Sequence, residues 1–260
     1  MIDRLVEYVD SYCPGWSRRV KGAAEAEIAE LEELCGLAAL GWRYPEAYRR
    51  YLAFCGHDDD GLLEGLHGAY GFQRTVADLR GFYRDVDNEP WTAPEFPVVL
   101  LNSLYMPLSL DLRPSRCSEP AVVDGENPES PNLNTGIEAN EVYAESWEKL
   151  VFQNATLYGR SNTAVTMWAS TSPRALAEAL ALTRAATPVE VLSAFGTEHG
   201  LQPAWFNDSQ HFCLSRADAM VWTSLSHGVL FHVTGDSGTE VGKLGNQLAR
   251  GIGATNLTTL

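Results

Sequence analysis

The chain has 260 residues, 45% of them hydrophobic and 20% charged, with a formal net charge of −15. That length suffices for one large domain or two small ones, and the balance is that of a folded globular protein rather than a disordered one. The negative field repels nucleic acid and anionic lipid, and no apolar run approaches the ~20 residues that span a bilayer, so neither nucleic acid nor membrane is an expected partner.

The acidity is unevenly placed. Residues 1–157 carry 27 acidic and 13 basic side chains, a net −14, whereas residues 158–260 carry 7 and 6, a net −1. Such a field attracts a basic partner and speeds its capture. The opening Met-Ile-Asp-Arg-Leu-Val-Glu lacks the basic-then-apolar order of a secretory signal, which points to a cytoplasmic location. Cys13, Cys35, Cys55, Cys117 and Cys213 are odd in number, scattered and never at C-x-x-C spacing, so free thiols are expected.

In chain order, residues 1–12 read as a short helix with Leu5, Val6 and Val9 on its apolar face, broken by Cys13-Pro14-Gly15. Arg18, Arg19 and Lys21 then form a small basic patch. The stretch from Ala23 to Gly56 reads as two linked helices. Ile28, Leu31, Leu34 and Cys35 recur at three- and four-residue spacing and share one stripe, with Glu30 and Glu33 expected in solvent. Gly36 supplies a left-handed cap and Pro45 a tolerated helix start. Tyr48, Tyr51, Leu52 and Cys55 form the second stripe, Glu46 and Arg50 pair at i,i+4, and Gly56 closes the helix before the acidic loop of His57 to Gly61.

Further on, 61–71 reads as loop or short helix, and Val76, Leu79, Phe82 and Tyr83 have helical spacing. An acidic turn follows at 85–90. Phe96–Leu101 reads as a strand, Pro107–Leu112 as a half-buried one from its strict alternation, and 121–123 as a third. Residues 124–136 form a loop, and Ser146 caps a helix with Trp147, Leu150 and Val151 inward. The last hundred residues read β-α-α-β-β-α. Ser172-Pro173 and Thr187-Pro188 start the two helices, strands lie at 163–169, 212–214 and 229–233 with a further candidate at 220–222, and a final helix covers 241–248.

Chemical constellations are sparse. His57 beside Asp58, Asp59 and Asp60 invites a metal, but consecutive loop side chains rarely converge on one ion. His211 and Cys213 at i, i+2 share a strand face, with His227 and His232 downstream, yet the spacing fits no standard zinc site. There is no G-x-S-x-G and no phosphate-binding glycine loop, and Ser237 in Gly-Asp-Ser-Gly reads as a turn before the last helix. The seven tryptophans read as core or sheet-covering residues, with one or two available to anchor an interface. No catalytic residue, metal or cofactor is assigned.

The order E-x-x-I-x-x-L-E-x-x-x-G followed by aromatic-Pro-Glu-x-Tyr-x-x-Tyr-Leu is carried by Glu25, Ile28, Leu31, Glu32, Gly36, Tyr44, Pro45, Tyr48, Tyr51 and Leu52. It resembles the start of the SMI1/KNR4 (SUKH) family, where Leu-Pro-x-x-Tyr-x-x-Phe-Leu is usual. This chain departs in Trp42-Arg43-Tyr44 before the proline and in its His-Asp loop. Leu108–Leu112 and Ala144–Val151 resemble two later family segments, with Trp147 in the aromatic place. The resemblance implies an α+β fold, N-terminal helices packed on an antiparallel sheet, over residues 1–157. Residues 158–260 read as a second, C-terminal α+β region that resembles no named family. The resemblance further implies a non-enzymatic immunity protein that masks a cognate toxin domain, often a nuclease or another basic effector. Charge density selects Asp58, Asp59, Asp60, Asp85, Asp87 and Glu89 as the partner-binding residues. A regulatory scaffold and a hydrolase sited in the C-terminal region are the competing expectations, and the sequence fixes neither toxin nor oligomeric state.

Overall fold

In the computed structural model, residues 1–63, 74–85, 94–101, 107–113, 119–124, 141–161, 165–225, 229–254 and 257–259 are described. The architecture is α+β, and the chain divides into two compact units, Met1–Ala155 and Thr156–Leu260.

The first unit opens with α1 (Ile2–Asp10), which buries Leu5 and Val9 as its spacing requires. A short 3-10 turn at Trp16–Arg18 brings Trp16 fully inside. Next come α2 (Glu25–Leu34) and α3 (Glu46–Cys55), the expected helix pair. Ile28, Leu31 and Cys35 are buried from α2, as are Tyr48, Tyr51, Leu52 and Cys55 from α3. Gly36 takes the left-handed conformation at φ +80°. A second 3-10 turn at Ala38–Leu40 and a left-handed Gly41 complete the link. Of the two acids expected in solvent, Glu33 is exposed and Glu30 is not, and a third acid, Glu32, lies inside. Glu30 is half-buried between Arg80 and Arg84, and Glu32, one turn after Ile28 on the inner stripe, is only 5% exposed.

Helix α4 (Val76–Asp85) starts at a reciprocal cap. The Asp78 N–H donates to Thr75 Oγ1 at 3.1 Å, and the Thr75 N–H donates to the Asp78 carboxylate at 3.1 Å. It packs against β1 (Val98–Leu101), which is followed by β2 (Pro107–Leu110), β3 (Val122–Asp124) and β4 (Glu141–Ala144). These strands form one antiparallel sheet in sequential order, with Leu108 opposite Asp124 and Leu110 opposite Val122. The half-buried reading of β2 needs correction. Leu108, Ser109, Leu110 and Asp111 are all buried, because β2 is an inner strand covered on both faces. Strand β4 was not expected, since Glu141-Val-Tyr-Ala is too short for alternation to register. Ser146 then caps α5 (Trp147–Ser161), accepting the Lys149 N–H at 3.2 Å. Trp147 turns inward onto the rings of Tyr48 and Tyr51, at centroid distances of 4.6 and 5.1 Å.

The second unit is a six-stranded antiparallel sheet. Its strands are β5 (Val165–Thr171), β6 (Gln202–Pro203), β7 (His211–Arg216), β8 (Ala219–Ser224), β9 (Val229–Gly235) and β10 (Thr258–Thr259). The order across the sheet is β10-β5-β9-β8-β7-β6. Three helices serve it: α6 (Pro173–Thr183), α7 (Pro188–His199) and α8 (Gly238–Ile252). Ser172, Thr187 and Ser237 cap them through their hydroxyl oxygens, so Ser237 is a helix cap. Leu192 and Phe195 of α7 and Val241, Leu244 and Leu248 of α8 pack onto Ala169, Leu214, Val221, Phe231 and Val233 of the sheet. The edge strands β6 and β10 were not foreseen, because two residues carry no period.

Candidate functional site

The acidic loop is a built corner rather than a loose tether. Residues 21–23 run back against the end of α3. The Lys21 N–H donates to the Asp58 carbonyl at 2.8 Å, the His57 N–H to the Lys21 carbonyl at 2.9 Å, and the Ala23 N–H to the Leu52 carbonyl at 2.9 Å. This approach needs glycine twice. A Cβ on Gly22 would lie 1.9 Å from the Ala53 carbonyl oxygen, and one on Gly56 would lie 2.4 Å from that of Leu52. Gly56 closes α3 for want of space, since its φ of −65° suits any residue.

The three aspartates of the corner have three different environments. Asp59 is 2% exposed. Its carboxylate accepts from the Arg74 guanidinium at 2.7 and 2.8 Å, from the Tyr51 hydroxyl at 3.0 Å and from the Gly61 and Leu63 N–H groups. Its carbonyl accepts the Trp16 indole N–H at 3.2 Å. Placing Asp59 among the partner-binding residues is therefore corrected: its oxygens face inward and hold the corner together. Asp58 is half-buried and accepts the Asp60 N–H at 2.9 Å, a local turn that supports Asp60 at φ +55°. Asp60 is half-buried and paired with Arg19 at 2.9 Å. Asp85 is the last residue of α4, while Asp87 and Glu89 lie outside the described residues.

His57 turns away from the aspartates. Its Nε2 lies 2.8 Å from the Glu27 carboxylate, which also accepts the Ala24 N–H at 2.9 Å. That backbone bond, with His57 and Arg80 beside it, holds the Glu27 carboxyl below its usual range. Among the described residues no group of three or more His, Cys, Asp or Glu side chains is placed to hold a metal ion.

Glu32 is a second hub that charge counting overlooked. It accepts the Tyr44 N–H at 2.9 Å and pairs with Arg49, which also reaches Glu25. One buried acid thus ties α2, the link and α3 together. Asp111, 1% exposed, is held by Arg113 through two bonds of 2.9 Å. The arginines of this unit (Arg19, Arg49, Arg74, Arg80, Arg84 and Arg113) are engaged with its own acids.

In the second unit His211, Cys213 and His232 lie on the sheet, and the register separates Cys213 from His232. Cys213 stands opposite Trp222, and Trp222 opposite His232, so an indole stands between thiol and imidazole. The Trp222 ring is 5.5 Å from both His211 and His232. Burial pushes the Cys213 thiol up and keeps the His232 imidazole below its ordinary value. His211 Nδ1 lies 3.6 Å from the buried carboxylate of Asp208, which already accepts the His211 N–H at 2.7 Å. His227 lies outside the described residues. The tryptophans divide as well. Trp16, Trp147 and Trp222 are core, whereas Trp205 is 49% exposed.

No helix among the described residues is long and apolar enough to cross a membrane. Comparison with protein-family models, characterised proteins and solved structures finds no match to this chain.

Proposed function

We propose that this chain is a binding protein of the immunity type. Its first unit, SMI1/KNR4-like in motif order, captures a basic protein toxin and covers the surface through which the toxin acts. The observation that carries this reading is electrostatic. Residues 1–157 have a net charge of −14, and several of their arginines, Arg19, Arg49 and Arg74 among them, already engage internal acids. The net surplus is negative and suits a cation-rich partner. Placing Asp59 in the core narrows the corner's contribution to Asp58 and Asp60.

The reading is tested with Asp58→Lys/Asp60→Lys in the full chain, against a basic toxin domain encoded beside its gene. The expected result is an association rate several-fold lower at low salt with little change in dissociation. An unchanged association rate removes the corner from the interface.

A further inference from the structure

The helix pair and the start of α5 hold buried hydrogen-bond donors that the described residues do not satisfy. Tyr44 and Tyr48 are 3% and 1% exposed, with ring centroids 4.9 Å apart and nearly perpendicular. The Tyr48 hydroxyl makes no hydrogen bond with the described residues. The Tyr44 hydroxyl makes none of ordinary geometry; it faces the Cys35 thiol, a weak acceptor whose own hydrogen goes to the Glu32 carbonyl. Trp147, 2% exposed and in edge contact with Tyr48, leaves its indole N–H without a partner as well.

Three features separate this cluster from ordinary core packing. Tyr51, one turn after Tyr48 on the same helix, has its hydroxyl fully engaged by Asp59, so the stripe can satisfy a phenol where an acceptor stands nearby. The Tyr48 ring contacts both the Tyr44 ring and the Trp147 ring, at centroid distances of 4.9 and 4.6 Å, which gathers the three side chains into one interior region. Burial raises both phenols well above their ordinary value, so both stay protonated donors at any physiological pH. A buried donor with no acceptor costs about as much as a lost hydrogen bond, and folded proteins rarely carry several side by side.

We propose that the Tyr44–Tyr48–Trp147 region of the first unit is a hydration site, holding ordered water that accepts from these donors. Water suits it better than an organic acceptor, because it can receive two donors and pass its own hydrogens to a third oxygen or to the Cys35 sulfur. The water then joins the link before α3, α3 itself and the start of α5 through these donors.

The test is the sign of a deletion. Tyr48→Phe in the full chain keeps the ring and removes the hydroxyl. If the hydroxyl binds water, the folding equilibrium constant from urea unfolding falls about fivefold. Tyr44→Phe falls likewise, and the double variant departs from additivity through the shared water. A high-resolution crystal structure then shows density within hydrogen-bond reach of Tyr48 Oη. If the hydroxyl is dry, Tyr48→Phe is neutral or more stable, that density is missing, and the proposal is overturned. Neither outcome bears on toxin binding.

Discussion

At the residue scale, an acid's burial and partners decide what it does, and neither follows from its being an acid. Asp58 and Asp59 are adjacent, yet one caps a turn and the other anchors a buried arginine. Asp59→Ala removes the carboxylate that holds Arg74, whose side chain is 14% exposed, and leaves the Tyr51 hydroxyl without its acceptor. It is expected to cost ~3–5 kcal/mol in urea unfolding, against less than about 1 kcal/mol for Asp58→Ala. Similar losses for the two would contradict the assignment of the core role to Asp59. Glu32→Gln keeps an acceptor for the Tyr44 N–H but removes the charge facing Arg49, so it should cost less than Glu32→Ala, which removes both. His232 carries a pH dependence. Its folded value lies below the ordinary ~6.5, so the unfolded chain binds the proton more readily. The stability it protects is complete above about pH 6.5 and is lost as pH falls below that value. Unfolding midpoints at pH 7.5 and 5.5 should therefore differ less in His232→Gln than in the parent, and an equal drop would remove His232 as its source.

At the scale of elements, much was legible and the failures have physical causes. Ser146, Ser172, Thr187 and Ser237 announce helices because a hydroxyl before a helix start is a local signal. The stripe of Tyr48, Tyr51, Leu52 and Cys55 was readable because burial follows the helical period. Strands β4, β6 and β10 were missed because two to four residues show no period, and β2 was misjudged because alternation cannot report a cover over the second face. The role of Asp59 was hidden for a different reason. Its arginine is fifteen residues away, and only the fold brings them together; the burial of Glu32 was also missed, although its place one turn after Ile28 is a signal that could have found it. Two predictions belong here. Replacing Ser172 or Ser237 by Ala should each cost ~1 kcal/mol in the second unit's transition and leave the first unit's unchanged. Gly22→Ala should displace residues 21–23 from α3, read as loss of hydrogen-exchange protection at the Lys21 and His57 amides, while Gly41→Ala leaves them protected.

At the scale of the whole molecule, the charge is divided as the chain is. Nearly all the net −15 lies in residues 1–157, and residues 158–260 are close to neutral at −1. Internal ion pairs engage several arginines of the first unit, Arg19, Arg49, Arg74 and Arg80 among them, without changing its net surplus of acid. A partner matched to that surplus associates quickly and loses affinity as salt screens the field. The most direct measurement is the affinity of the full chain for a basic toxin domain encoded beside its gene, taken at about 50 mM and about 300 mM salt, across which the Debye length shortens more than twofold. Tight binding at low salt that weakens at least tenfold at high salt is the result expected of an acidic immunity protein. Tight binding indifferent to salt would contradict the electrostatic capture, and no binding at either salt would contradict the proposed function itself.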